Sequence, residues 1–417
     1  MTRKKLNIGL FGFGTVGKGL YDVLAHTHGL KANIARICVK DREKQRPIPV
    51  SYFTFDKEDI LADDSINVVV ELIDDADAAF EIVSSALSQG KAVVSANKKM
   101  IAEHFEELLA LQKKYNVPFL YEGAACASIP VIRNLEEYYD NDLLNSVEGI
   151  VNGSTNFILT KMHKEGKPYA EILAEAQALG FAESDPALDV EGYDARYKLS
   201  LLAAHAFGQF VQPDRVFKVG ISHVSEADIR YAKEKGYKIK LVAHAQKTGK
   251  SLGLWVIPRF IPANHALYNI DYEYNGVSVE GVFSDKQFFS GKGAGSFPTA
   301  SAVLSDISAI SYDYRYEYKK AQQADNLVFE PSILLKLYCR FPVSIKASDL
   351  PFETIEQSFK SQSLNYVIGQ ASLQDIEESG LLDHPEVFLA QIGEDVQVGN
   401  KTENQEEIMA EMYELTV

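Results

Sequence analysis

The apolar run Leu6-Asn-Ile-Gly-Leu-Phe11 leads directly into Gly12-Phe-Gly14-Thr-Val-Gly17 and then into a stretch of helical character running through Gly19 to about Ala25. A buried strand, a glycine turn and a helix in that order constrain the fold more than any other feature of the chain. Gly12 can make the tight turn, Gly14 lets a pyrophosphate approach the backbone, and Gly17 lets helix and strand pack closely. The helix N-terminus then faces the phosphates. The glycine spacing alone matches many turns; the strand before it and the helix after it give it weight. Further runs repeat the alternation. NIARICV (33–39) reads as a second strand and SINVVVELI (65–73) as a third, continuous in apolar character as a sheet covered on both faces requires. The helix FEIVSSALSQG, the strand KAVVS and the strand at the start of VPFLYEGAACASIPVI (117–132) follow.

The ends of these strands carry the chemistry. The second run ends at Lys40-Asp41-Arg42, where an acid would bind the ribose 2′-hydroxyl of NAD and a base the 2′-phosphate of NADP. Asp41 favours NAD; Lys40 and Arg42 favour NADP, although a lysine lacks the planar fork of an arginine. The balance leans to NADP, with NAD as the alternative and a solvated loop as the plain reading of Arg42. After the third run stand Asp74-Asp75, negative charge at a strand end close to where a cofactor would lie. After the fourth comes Ser95-Ala-Asn97-Lys98, placing Lys98 at the edge where open α/β sheets bind ligands.

The 417 residues allow two to three domains, and the net charge of −16 argues against a nucleic-acid surface, so an anionic cofactor needs a local positive site. Cys38, Cys126 and Cys339 are scattered and lack metal spacing, which suits a reducing cytoplasm. The opening MTRKKLNIGLFGFGTVG imitates the basic and apolar parts of a secretion signal, but its apolar run is short and broken by glycine. No stretch is long enough to cross a bilayer. The expected partner is a small-molecule substrate, with neither membrane nor nucleic acid.

A second concentration of polar residues lies at Gly180-Phe-Ala-Glu-Ser-Asp-Pro-Ala-Leu-Asp-Val-Glu-Gly-Tyr-Asp-Ala-Arg-Tyr-Lys198. From about Gly192 the chain reads as a helix with Leu199, Leu202, Ala203, Ala206 and Phe207 on its buried side. Asp194 and Lys198 are four apart and share a face; as an isolated surface pair they are worth about 0.3–0.5 kcal/mol. Glu183, Asp185 and Asp189 on the approach to an otherwise apolar helix fit the mouth of a ligand site better than a solvated face. Ahead of it, SVEGIVNGSTNFILTKM (146–162) reads as a strand, Asn152-Gly-Ser-Thr-Asn156 and a helix that Thr155 or Asn156 could cap. Beyond it, YKIKLVAHAQ, LGLWVIPRFI, DYEYNGVSVEGVF and SDKQFFSG read as successive strands of a mostly antiparallel sheet. Gly291-Lys-Gly293-Ala-Gly295-Ser-Phe-Pro298-Thr-Ala-Ser-Ala-Val then enters a helix with more glycines than a plain helix entry needs.

Together these segments resemble the homoserine dehydrogenases. The string GFAESDPALDVEGYDARYK is similar to the family's substrate-site signature, Ser95-Ala-Asn97-Lys98 to its Thr-Ala-Asn-Lys, Asn152-Gly-Ser-Thr-Asn156 to its Asn-Gly-Thr-Thr-Asn, and the 291–303 segment to its Gly-x-Gly-Ala-Gly-x-x-Pro-Thr-Ala-Ser-Ala-Val. The resemblance runs from residue 6 to about 310, with Asp74-Asp75 standing where relatives usually have a glycine pair. It implies reversible NAD(P)-dependent reduction of L-aspartate 4-semialdehyde to L-homoserine, in the biosynthesis of threonine, methionine and isoleucine. It implies a Rossmann-type α/β dinucleotide-binding domain over 1–135, completed by a returning helix at about 298–318. An α+β substrate and dimerisation domain over 136–297, a linker over 319–331 and a small C-terminal α+β domain over 332–417 would follow. That last segment is ACT-like and degenerate, since only Cys339-Arg-Phe-Pro-Val343 echoes the usual ACT phrase.

Carried over residue by residue, the resemblance makes Lys198 the proton donor to the alkoxide left by hydride transfer, with Lys98 as a second amine at the site. Asp194 would position the reacting hydroxyl, Glu183 would grip the substrate ammonium, Asn152 would support the substrate, and Asp189 would be a supporting ligand or an orienter of Lys198. Gly12, Gly14, Thr15, Val16, Gly17, Lys40, Ser95, Lys98, Gly293 and Gly295 would contact the cofactor. Main-chain oxygens of Ala125, Ala127 and Ile129, with Glu122 beside them, would hold a monovalent cation such as sodium. A homodimer or homotetramer is implied. Two alternatives stay open on the residues alone. Another Rossmann-fold amino-acid oxidoreductase, such as an aspartate semialdehyde dehydrogenase, would need an activated cysteine, and Cys126 in AACAS has no cation to make a thiolate. The other is a non-catalytic regulatory relative.

Overall fold

The computed structural model describes residues 4–141, 143–323, 327–361 and 364–399. These described residues divide into two compact units, one of those up to 138 with 291–318, the other of those in 139–290 with those from 319 onward.

The first unit is built on a six-stranded parallel sheet. Its strands are β1 (Leu6–Phe11), β2 (Ala32–Cys38), β3 (Phe53–Thr54), β4 (Val68–Glu71), β5 (Ala92–Ser95) and β6 (Phe119–Leu120), in the order β3-β2-β1-β4-β5-β6. Val68, Val69 and Val70 are wholly buried, which explains why β4 reads as a continuous apolar run. The chain leaves β1 at one side of the sheet's middle and returns at the other, so the turn after β1 lies where the strand order reverses.

That turn assigns separate work to its glycines. Gly12 takes φ +94°, and a Cβ there would meet the Leu72 carbonyl oxygen at 2.5 Å. A Cβ on Gly17 would lie 2.3 Å from the Gly12 carbonyl oxygen, so helix Thr15–Ala25 can reach the turn only without one. Gly14 has open space around it. Gly19 faces Ser296, whose hydroxyl donates to the Thr15 carbonyl at 2.7 Å; the helix Ser296–Ile310 therefore packs on the first unit's own helix across a side-chain-free patch.

The second unit is dominated by an eleven-stranded sheet. Its strands are β7 (Leu144–Ile150), β8 (Phe217–Lys218), β9 (Tyr237–Thr248), β10 (Ser251–Pro262), β11 (Tyr274–Gly281), β12 (Asp285–Lys292), β13 (Val328–Phe329), β14 (Ile333–Phe341), β15 (Thr354–Lys360), β16 (Asn365–Ser372) and β17 (Phe388–Val398). The path is β12-β11-β7-β9-β10-β17-β14-β16-β15, with β8 and β13 also on β10. The β9–β10 hairpin is in register over its full length, from Tyr237 opposite Pro262 to Thr248 opposite Ser251.

The apolar cluster under the C-terminal strands is built largely from their own residues, and Phe217, Trp255 and Ile257 of the preceding segment complete it. β17 pairs in parallel with β10, and Leu335, Leu337 and Leu389 share one apolar cluster with Trp255 and Ile257 of β10. A segment expected as a separate small domain thus continues the sheet before it, because its apolar face is completed by β10. The polar run expected as a linker contains, in its described part, the short helix Lys319–Gln323 and β13, whose Phe329 is buried. The acidic end beyond Gly399 lies outside the described residues.

Gly17→Ala should cost about 1–3 kcal/mol, the usual penalty of forcing volume into a packed contact. Urea unfolding followed by circular dichroism should show the loss, while Gly29→Ala, with open space around it, should stay within about 0.5 kcal/mol of the parent. Equal behaviour of the two variants would contradict the close approach at Gly17.

Candidate active site

In the second unit, Gly192 takes φ +81° and starts the helix Tyr193–Phe207. This helix is buried nearly all round, so the two buried charges near its start, Asp194 and Lys198, cannot rely on water. Lys198 is 8% exposed and Asp194 3%. Lys198 Nζ lies 2.7 Å from Asp194 Oδ2 and donates to the Val151 carbonyl at 2.7 Å. The pair is therefore not the solvated surface contact that an i,i+4 spacing usually means. Burying either charge alone would cost several kcal/mol, and each has its counterpart within hydrogen-bond reach.

Asn152 ties this pair to two more elements. Its Nδ2 donates to Asp194 Oδ2 at 2.9 Å and to Asp189 Oδ1 at 2.7 Å, while its Oδ1 accepts from the Thr155 main-chain N–H at 2.9 Å and so caps the helix Gly153–Glu165. The cap expected from Thr155 or Asn156 thus falls on Asn152. Asn156 instead donates to the Ile270 and Tyr274 carbonyls and accepts from buried Lys240, which is work inside the core. Asn152, Asp189, Asp194 and Lys198 form one bonded group. Glu183 lies on the exposed turn before it, where its carbonyl accepts from Gln177 Nε2 at 2.8 Å, and its carboxylate is not among the groups bonded there.

In the first unit, Asn97 caps the helix Lys98–Glu103 through the Met100 N–H at 3.0 Å and donates to the Ile73 carbonyl. Lys98 therefore stands half-buried at the first position of a helix, where the backbone dipole disfavours a cation. Behind it, the buried Ser95 hydroxyl donates to Glu71 Oε2 at 2.5 Å and accepts from the Asn97 N–H at 3.1 Å. Glu71 also accepts from the Ile73 N–H at 2.7 Å, and burial pushes its carboxyl up to about 7. Sequence reasoning missed Glu71, although an acid closing a run of buried valines was a visible signal.

The dinucleotide elements fit their group. Helix Thr15–Ala25 has no side-chain cap, which leaves its first N–H groups to a phosphate, and Gly14 offers open backbone beside them. Lys40 is exposed and pairs with Asp75 at 3.2 Å. Asp41 Oδ1 accepts from the Glu43 and Lys44 N–H groups, so this acid shapes its own loop. Gly293 is buried, and Gly295, at φ +117°, begins the helix Ser296–Ile310.

The loop around the expected cation ligands is buried at Ala125, Ala127 and Ile129, and Ala127 holds a left-handed φ of +47°. Strain of this kind in an alanine gathers at ligand clamps. The Glu122 carboxylate accepts from the Ile132 and Arg133 N–H groups at 2.9 and 2.8 Å, so it seats the helix Val131–Glu137. Burial and the nearby Asp306 carboxylate push Glu122 up to about 8, and burial pushes Asp306 up to about 7, with Arg133 2.8 Å from Asp306. Cys126 is fully buried, unlike a reactive thiol.

A dinucleotide-binding unit joined in one chain to a second unit with a buried lysine–aspartate pair is consistent in build with a nicotinamide-dependent oxidoreductase. Family models described as "Homoserine dehydrogenase, NAD binding domain" and "Homoserine dehydrogenase" match residues 12–122 and 130–308. The chain is 40% identical over 337 residues to the homoserine dehydrogenase of Neisseria gonorrhoeae, covering 79% of this chain and 77% of that one. It is 40% identical over 321 residues to that of Bacillus subtilis, covering 75% and 74%. A homoserine dehydrogenase structure from Thiobacillus denitrificans superposes with a TM-score of 0.84 at 30% identity, covering 94% of this chain and 99% of that one. A hyperthermophilic archaeal homoserine dehydrogenase in complex with NADPH gives 0.66 at 28% identity, covering 75% and 99%. The chain belongs to the homoserine dehydrogenase family, and it interconverts L-aspartate 4-semialdehyde and L-homoserine with a nicotinamide cofactor. No described helix is long and apolar enough to cross a membrane.

Because burial raises the pKa of Glu71 from its ordinary 4.5 to about 7, the folded chain holds a proton that the unfolded chain releases. Its contribution to stability is complete below about pH 4.5 and is lost as the pH rises through about 7. Urea midpoints should therefore fall between pH 5.5 and 8.5, and Glu71→Gln should make that fall shallower. An identical fall in both proteins would contradict an ionisable Glu71.

Proposed function

We propose that Lys198 is the proton relay of homoserine dehydrogenation, held ready by Asp194 and the Val151 carbonyl. The observation that carries this reading is a buried ammonium with two of its three protons directed at those groups, at 2.7 Å each. The third is suited to the substrate oxygen. In the reducing direction the ammonium gives its proton to the oxygen of the aldehyde as that oxygen becomes an alkoxide; in the oxidising direction the neutral amine takes the hydroxyl proton. Asp194 orients the amine and the hydroxyl, Asn152, itself bonded to Asp189, holds Asp194, and Glu183 receives the substrate ammonium from its exposed turn. Lys98 serves substrate and cofactor from the carboxyl edge of the first sheet.

The cofactor, when bound, supplies or accepts the hydride. Gly12, Gly14, Thr15, Val16 and Gly17 would hold its pyrophosphate, with Ser95, Lys98, Gly293 and Gly295 towards its nicotinamide end. NADP is the preferred form on this reading, with Lys40 taking the 2′-phosphate. Two observations support it: Asp41 is engaged in its own turn, and a neighbouring structure of the family carries NADPH. A monovalent cation on the main-chain oxygens of Ala125, Ala127 and Ile129, beside Glu122, belongs to the same proposal and is supported by the left-handed Ala127.

A cytoplasmic location and a homodimer or homotetramer complete the reading. Self-association is supported by the exposed edge strand β12 and the exposed Phe283 and Phe288. The degenerate ACT-like character of the C-terminal strands is supported by their order, β17-β14-β16-β15, antiparallel throughout, with the α-helix Leu373–Glu378 among the described residues.

Following reduced-cofactor absorbance with homoserine as substrate should show turnover with both dinucleotides and a higher kcat/KM with NADP. Lys198→Ala should lower kcat by about 10²-fold or more while cofactor affinity stays within about twofold. Loss of cofactor binding in step with activity would mark Lys198 as a structural residue.

A further inference from the structure

The pair Asp74-Asp75 is where this chain departs from the family resemblance, and the Asp75 carboxylate is engaged at both oxygens. Its Oδ1 accepts from the Ala78 N–H at 3.0 Å, capping the helix Ala76–Ser88, and its Oδ2 lies 3.2 Å from Lys40 Nζ. Lys40 follows β2 and Asp75 follows β4, while β1 runs between those strands and ends in the glycine turn. The ion pair therefore reaches across the carboxyl end of β1, over the turn beside which the adenosine half of a dinucleotide must lie. Two nearby cations, Arg42 and Arg46, are turned to other partners. Arg46 donates to the Asp41 and Lys44 carbonyls and lies over the Phe53 ring, and Arg42 lies over the Phe55 ring.

We propose that Asp75 is a specificity-determining residue that weakens selection for the 2′-phosphorylated dinucleotide. It holds the Lys40 ammonium as its own partner and sets a fixed negative charge beside the position a 2′-phosphate would take. The unphosphorylated dinucleotide presents a neutral hydroxyl there and escapes both effects. The inference rests on the reading of Lys40 as the 2′-phosphate ligand. Its size follows from Coulomb's law: a carboxylate several ångströms from a phosphate in a wet, exposed setting changes affinity by about three- to tenfold.

Asp75→Asn tests this, because asparagine keeps an acceptor for the helix cap and removes the charge. Isothermal titration of the full chain, without substrate, should use NADP⁺ and NAD⁺, with adenosine 2′,5′-bisphosphate and AMP as fragments. NADP⁺ and the bisphosphate should bind about three- to tenfold more tightly to Asp75→Asn than to the parent, with NAD⁺ and AMP within about twofold. The NAD⁺ arm also reports that the site has folded. Lys40→Ala should weaken NADP⁺ alone, and the gain from Asp75→Asn should shrink in that background. Unchanged or weaker NADP⁺ binding in Asp75→Asn, or an equal gain for NAD⁺, would overturn the inference. If that happens while Lys40→Ala still weakens NADP⁺, the assignment of Lys40 stands and only the role of Asp75 falls. If Lys40→Ala leaves NADP⁺ unchanged, the assignment of Lys40 falls and the inference with it.

Discussion

A charged amine inside a folded protein must be matched, and the helix Tyr193–Phe207 meets that demand within its own first turns. Asp194 supplies the counter-charge one turn before Lys198, and the Val151 carbonyl supplies a second acceptor. The arrangement depends on a left-handed start at Gly192, which lets the chain enter the helix with Asp194 in place. It depends equally on Asn152, which grips Asp194 and Asp189 with one amide nitrogen while its oxygen caps the following helix. Removing one partner from such a group leaves an uncompensated charge, so these side chains stand or fall together.

The first unit handles buried charge differently. Glu71, Glu122 and Asp306 lie in low-dielectric surroundings, and each is pushed up towards or past neutrality. Glu71 and Glu122 each accept from main-chain N–H groups at the start of neighbouring loops or helices. Glu71 braces Ser95 and through it Asn97, the cap ahead of Lys98. Glu122 seats the helix after the strained Ala127 loop. Both acids are framework for groups near them, which fits their complete burial.

Much of this was legible in the sequence because it is local. The 12-14-17 glycine pattern, the apolar strand of three valines and the helix that starts at Gly192 each follow from spacing and residue type. The Asp194–Lys198 contact follows from the helical repeat. Its burial does not, since that depends on β-strands brought in from elsewhere in the chain. Helix capping by Asn152 was hidden because Asn152, Thr155 and Asn156 are all plausible caps within one turn. The junction of β17 with β10 joins residues 130 or more positions apart, and no local pattern records such a pairing. Asp75 looked like misplaced charge in the sequence. In the fold it is a helix cap and the partner of Lys40.

The most direct measurement is a crystal structure of the chain with homoserine and the oxidised dinucleotide bound together. If Lys198 is the proton relay, the substrate hydroxyl oxygen lies within about 2.6–3.2 Å of its Nζ, with the amine still on the Val151 carbonyl. A substrate hydroxyl held by other groups, with Lys198 closed off behind Asp194, would contradict it.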